Sequence, residues 1–269
     1  MSAPAAPVEV TRGDSPVVLG LPHTGTFVPD AIRARLNPRG RGLDDTDWHI
    51  DRLYHGLLDG ATTVRATFHR YVIDANRDPS GVSLYPGRNT TGLVPLTDFD
   101  GRPIWDIPPD DAETEDRRAA FHAPYHAALK AELDRVKALH GIAILYDCHS
   151  IRSRIPYLFD GTLPDLNIGT NHGTTCHRAI ETAVYGLCRA EDRYSTVLNG
   201  RFKGGWTTRH YGRPDDNIHA IQMELAQSTY LTGEAAPWDY DTGAAERLRP
   251  VLKRILGRLA HLALNGDLT

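Results

Sequence analysis

The stretch "GIAILYDCHS", residues 141–150, decides the fold. It starts as an apolar run that suits a buried strand and ends abruptly on Asp147, Cys148, His149 and Ser150. Side chains alternate along a strand, so Asp147 and His149 share a face that Cys148 does not. In an α/β sheet, ligands bind beyond the carboxyl ends of the strands. A core strand ending in reactive side chains therefore points to a site at its C-terminal end.

Short apolar runs on either side alternate with helical patterns, which predicts an α/β fold with helices packed on a mixed, mainly parallel sheet. The expected strands are residues 17–21, 62–68, 71–75, 142–147, 195–199 and 218–225. Ile50, Leu53, Tyr54, Leu57 and Leu58 form one apolar helical stripe that Asp44 or Asp45 could cap. A longer helix is expected from Thr114 to His140, stopped by Gly141, with two more over 176–190 and 243–264. Pro124 and Pro250 mark kinks or helix starts. Residues 80–111 are rich in Gly, Pro, Asp and Thr and read as a long functional loop. The expectation is one domain over residues 1–269, with residues 1–14 mobile.

Bulk properties narrow the function. A chain of 269 residues can bury a sizeable core, and a net charge of −4 without a Lys/Arg block excludes the basic footprint of a nucleic-acid or membrane-surface binder. The expected partner is a small molecule. Three scattered cysteines suit neither a disulfide framework nor a CxxC zinc site. With no long apolar stretch and no signal-peptide order at the start, the chain is expected in the cytoplasm.

A second histidine, His23 in "LPHTG", follows the first expected core strand. Two strand-end histidines near carboxylates point to a metal, and a catalytic zinc takes three His or carboxylate ligands plus an open position. In "DDTDWHIDRLY" (44–54), Asp47 and Asp51 lie four apart at a helix start; helix capping is the bland reading of this acidic cluster, and it explains Asp47 less well. Glu224 shares a strand face with Gln222, and an ionised Glu on a mostly apolar strand is costly without a task or partner.

The blocks "PHTGTFVP", "DDTDWHIDRLY", "RYVIDANRD", "DCHSIRSRIPYLFDG", "LNGRFKGGWTTRHYG" and "AIQMELAQSTYL", in order from Val17 to Leu231, resemble the N-formylglutamate amidohydrolase family. The resemblance implies a zinc hydrolase with a zinc-carboxypeptidase-like fold (the phosphorylase/hydrolase-like architecture), related to the aspartoacylases. It implies cleavage of N-formyl-L-glutamate to formate and L-glutamate, in histidine degradation, with a related zinc N-acyl-amino-acid deacylase taking another acyl group or amino acid as the alternative. The wider group's first ligand motif is His-x-x-Glu, but Thr26 stands three residues after His23. The family's Thr-Asp-Trp-His block instead points to Asp47, with Asp51 and His49 as rivals. The implied set is one Zn²⁺ on His23, Asp47 and His149, with Glu224 as general base and then acid. Asp74, Ala75, Asn76 and Arg77 match the group's Asp-x-Asn-Arg signature, with Ala75 where leucine is common. By the same resemblance Asn76 and Arg77 grip the α-carboxylate, Arg70 stabilises the oxyanion, and Arg201 and Arg209 hold the side-chain carboxylate. Arginine suits such bidentate recognition.

Other features read more simply. His122 and His126 have HxxxH spacing but lack the Glu of a zincin, which favours a structural role. Cys148 beside His149 suggests a thiol hydrolase, yet alternation points the two side chains apart. His172 and His210 are loop histidines that could line the site.

Overall fold

Seven strands form one mixed sheet: β1 (Val8–Thr11), β2 (Val17–Leu21), β3 (Thr62–Ala66), β4 (Ala143–Ile151), β5 (Leu166–Gly169), β6 (Thr196–Leu198) and β7 (Ile218–Ala226). The computed structural model describes residues 6–83, 86–266 and 268. The strand order is β1-β3-β2-β4-β7-β5-β6. β3, β2, β4 and β7 are mutually parallel, whereas β1 is antiparallel to β3 and β5 is antiparallel to β7. The helices are α1 (Asp30–Arg33), α2 (Pro38–Gly42), α3 (Ile50–Tyr54), α4 (Asp111–Arg117), α5 (Ala123–His140), α6 (Arg178–Arg189), α7 (Trp206–Tyr211) and α8 (Thr242–Leu264). Among the described residues, no helix is long and apolar enough to cross a membrane.

The sheet is covered on both faces, so β4 and β7 are buried at every position, the condition under which a strand reads as a continuous apolar run. On one face Ile144, Tyr146, Cys148, Ile221, Met223 and Leu225 join a core with α3, α6 and α8. On the other, Ala143, Leu145 and Ala220 pack with Tyr125, Leu129, Leu133 and Val136 of α5. Towards the C-terminal ends this second face turns polar, with Asp147 and His149 on β4 paired to Gln222 and Glu224 on β7. That change of character along one face creates the site.

Several expectations need correction. Residues 71–75 are not a strand: Val72 N–H bonds to the His69 carbonyl and Asp74 N–H to the Leu93 carbonyl. Their side chains are buried with the α5-side core, which gives a turn the composition of a strand. β4 runs beyond 147, so His149 lies within the paired strand. Val8–Thr11, read as part of a mobile start, pairs with β3; residues 1–5 lie outside the described residues. β5 was missed. Neither Asp44 nor Asp45 caps α3, which has His49 at its N-cap in the left-handed region. Asp45 instead accepts from the Tyr71 hydroxyl at 2.7 Å and Phe99 N–H at 2.9 Å. Helix α3 is short, but Ile50, Leu53, Tyr54 and Leu57 are all buried, so the stripe marks a core face more than a helix length. Gly141 ends α5 at φ 77°, as expected. Among the described residues of 80–110 there is no helix or strand; 84–85 lie outside them.

Candidate active site

His23 follows β2, Asp47 precedes α3, and His149 lies near the end of β4; all three are almost fully buried. One ligand atom from each falls within 4.8 Å of the others, the one such group of three His, Cys, Asp or Glu found among the described residues. His149 Nδ1 is 3.2 Å from Asp47 Oδ2, and His23 Nδ1 is 3.8 Å from the same oxygen. Each imidazole has its far nitrogen on another carboxylate: His23 Nε2 lies 2.6 Å from Asp74 Oδ1, and His149 Nε2 lies 3.1 Å from Asp147 Oδ1. Such a carboxylate fixes the tautomer and ring orientation of a metal-binding histidine, leaving the near nitrogen free to bind. His23 Nδ1 is buried without a hydrogen-bond partner, a state that costs free energy unless something else engages it.

Charge makes the same point. Asp47, Asp74, Asp147 and Glu224 are buried in this cluster, with Arg70 and Arg77 as the guanidinium groups among them. Burial opposes ionisation of Asp47, yet Arg70, His149 and His23 hold its carboxyl well below the usual range. Burial equally opposes ionisation of Asp74, and Arg77 and His23 outweigh it. At His149 burial disfavours the charged ring, but Asp147 and Asp47 push its pKa well above the ordinary histidine value. The pocket thus favours positive charge between the rings. Two imidazole nitrogens and one carboxylate oxygen, oriented by carboxylates behind them, fit a divalent ion.

The rivals of Asp47 lie elsewhere. His49 Nε2 is 2.8 Å from the Trp238 carbonyl, and Asp51 is exposed, 4.0 Å from Arg65. Cys148 is buried in the opposite core, and burial pushes its thiol pKa well above the ordinary value, which disfavours the nucleophilic thiolate.

Glu224 sits beside His149 in the parallel register. Its Oε2 accepts from Gln222 Nε2 at 3.0 Å, and Gln222 Oε1 accepts from Gly205 N–H at 2.6 Å. Burial pushes the Glu224 carboxyl up to about 8 against the pull of His149 and Arg70. A carboxyl in that range can both take and return a proton near neutral pH. Gly205 has no room for a side chain: a Cβ there would meet Asn76 Nδ2 at 2.2 Å.

These groups open into one cleft whose walls include Arg70, Asn76, Arg77, Phe99, Arg201 and Glu224, with Asp78, residues 81–83 and residues 90–93 along one side. Arg70 Nη2 bonds to Asp47 Oδ1 at 2.5 Å and its guanidinium lies over the Phe99 ring. Arg77 donates to the Thr91 carbonyl and hydroxyl, each at 2.9 Å. Arg201 donates to the carbonyls of Leu158 and Asn89. Arg209 donates to the Gly204 carbonyl and is not among the cleft-lining residues. Asn76 Nδ2 lies 3.2 Å from His149 Nε2, and its Oδ1 accepts from Thr207 N–H.

The sequence reading gave no role to Asp74, Asp147, Gln222 or Thr208. Thr208 Oγ1 donates to Asp147 Oδ2 at 2.9 Å and so fixes the carboxylate behind His149. For Asp147 a signal was present, because it stands two residues before His149 on the same strand face.

The sequence signature of the N-formylglutamate amidohydrolase family matches residues 15–231. The chain is 47% identical over 251 residues to the N-formylglutamate deformylase of Pseudomonas aeruginosa, covering 92% of this chain and 94% of that protein. It is 45% identical to the N-formylglutamate deformylase of Pseudomonas putida, covering 92% and 93%. The crystal structure of N-formylglutamate amidohydrolase from Ralstonia eutropha JMP134 superposes with a TM-score of 0.80 at 27% identity, covering 97% of this chain and 99% of that one. The gene product Atu2144 from Agrobacterium tumefaciens shares the fold, with a TM-score of 0.72 at 18% identity over 96% of both chains. With its matching blocks spread from the first core strand to the end of the β7 segment, the chain belongs to the N-formylglutamate amidohydrolase family.

Proposed function

We propose that this chain is a zinc-dependent N-formylglutamate deformylase, working in the cytoplasm and carrying its whole site in one domain. The observation that carries the reading is the buried His23, Asp47 and His149 cluster, with Glu224 beside it in a cleft that also presents arginines. His23 and His149 through Nδ1, and Asp47 through Oδ2, would hold one Zn²⁺. Zinc, when bound, acts as a Lewis acid on the carbonyl and lowers the pKa of water towards about 7.

The protein's own residues supply the rest. Arg77, with Asn76, takes the α-carboxylate of N-formyl-L-glutamate, and Arg201 takes the side-chain carboxylate. Arg209, outside the cleft wall, supports the Gly204 turn that leads into α7. Arg70, anchored on Asp47, faces the carbonyl oxygen as it gains charge. Glu224 accepts a proton from the attacking water and returns it to the amide nitrogen as the C–N bond breaks, releasing formate and L-glutamate. Gln222 holds the other carboxylate oxygen in place.

Specificity tests the reading. A formyl group needs little space, whereas two carboxylates must be desolvated against fixed cations, and losing one such partner costs about 2–5 kcal/mol. N-Formylglutamine should therefore show kcat/KM lower by roughly several hundredfold. N-Formylaspartate, which keeps both charges, should fall less. Arg77→Ala should weaken every N-formyl amino acid alike, while Arg201→Ala should narrow the lead of glutamate over glutamine. Formate release across that panel checks all four, and equal rates on N-formylglutamate and N-formylglutamine in the unmutated enzyme would refute the assignment.

A further inference from the structure

The HxxxH pair on the α5 side does something that neither metal binding nor core packing describes. Between α4 and α5 the chain makes one π-helical turn, Arg118–His122, directly ahead of Pro124, which has no N–H for an ordinary helical bond. His122 and His126 then stand with ring centroids 4.4 Å apart. Both rings aim Nε2 at the same short stretch of backbone: His122 lies 3.0 Å from the Arg77 carbonyl and His126 lies 2.8 Å from the Ala75 carbonyl. The residue between those two carbonyls is Asn76. We propose that His122 and His126 are positioning residues that clamp the 75–77 backbone from behind, so that Asn76 and Arg77 face the substrate's α-carboxylate in a fixed arrangement.

The surrounding bonds fit a clamp. A carbonyl can only accept, so both imidazoles must carry their proton on Nε2. The Tyr211 hydroxyl lies 3.1 Å from both His126 Nδ1 and the His126 carbonyl, which ties this ring and its backbone to the end of α7. Burial keeps the ring uncharged, with its pKa pushed down to about 3. Tyr211 ends α7, the helix whose Thr207 N–H grips Asn76 Oδ1 from the other side. Trp206 at the start of α7 packs edge-on against His126, 4.7 Å between centroids. The backbone on either side of Asn76 is thereby held from the π-helical turn and α5, and the Asn76 side chain from α7. Neither histidine lines the cleft.

The inference rests on the proposed role of Arg77 and Asn76, and its test separates the two. If the unmutated enzyme does not release formate from N-formyl-L-glutamate, that reading fails. If it does, variants of the pair decide the clamp. Glutamine carries an amide N–H where histidine carries Nε2–H, whereas leucine has no donor and leaves a buried carbonyl unpaired. His126→Leu and His122→Leu should each raise KM for N-formyl-L-glutamate and N-formylglutamine by roughly tenfold or more, with zinc content unchanged and kcat within a few-fold. His126→Gln and His122→Gln should restore KM to within a few-fold of the unmutated value. Should a leucine variant fail to fold, the asparagine variant replaces it, being polar but one atom too short to reach the carbonyl, and it should show the same rise in KM. Unchanged KM in folded leucine or asparagine variants, or glutamine variants no better than those, would overturn the clamp.

Discussion

Glu224→Gln should lower kcat for N-formyl-L-glutamate by roughly 10²–10⁴, the usual loss when positioned acid–base help is removed, while zinc content and KM stay near their unmutated values. Glutamine has the size and shape of glutamate, and its carbonyl oxygen can keep accepting from Gln222 Nε2, so the surroundings of β7 have little reason to move. What disappears is an oxygen that can take a proton. Because Glu224 is not one of the three clustered ligand residues, the metal should remain. Steady-state kinetics together with metal analysis of the same preparation check the separation. Loss of zinc in this variant would make Glu224 a ligand instead of a base. Cys148→Ala is the matching control: its side chain faces the opposite core, and kcat should stay within a few-fold.

His149→Ala should lose both activity and most of the metal, and Asp47→Asn should do nearly the same. Removing His149 deletes one donor outright and leaves the Asp147 carboxylate behind it without the ring it orients. Breaking a buried charged arrangement by deleting one partner costs about 3–5 kcal/mol, far more than any surface change. At Asp47 the amide keeps the shape but loses the charge that Arg70, His23 and His149 share. Asp51→Asn, at an exposed position beside Arg65, should leave zinc and turnover unchanged. Metal content of the purified variants is the measurement. Stoichiometric zinc with normal turnover in His149→Ala would place the site elsewhere.

The core strands were legible because burial on both faces leaves an unmistakable apolar run, as in β2 and β4. The end of β4 was less so, since its α5-facing positions become polar exactly where the site begins. β1 is mostly exposed and β5 spans four residues, so neither carries enough apolar pattern to stand out. The segment 71–75 failed in the opposite sense: burial gave it a strand's composition, but its backbone bonds go to a turn and to the Leu93 carbonyl. Strand order joins segments far apart in the chain, and no local pattern encodes that.

The site follows the same division. His23, Asp47 and His149 were legible from residue type, strand ends and the family blocks, and the fold brings them together. Asp74 behind His23 was not assigned because the two meet across 51 residues of chain, whereas Asp147 stands two residues before His149 on one strand face. Arg201 and Arg209 looked equivalent in a Gly-rich stretch, but only Arg201 lines the cleft. The HxxxH pair looked like packing because the sequence cannot show that both rings point at the backbone around Asn76.

Formate release from N-formyl-L-glutamate, followed while metal-free protein is titrated with zinc, tests the central claim most directly. The expected result is negligible turnover without metal, a linear rise, and a break at one equivalent of zinc per chain, with His149→Ala remaining inactive at the same zinc concentrations. Full turnover in the metal-free protein, unchanged by added zinc, would contradict the account.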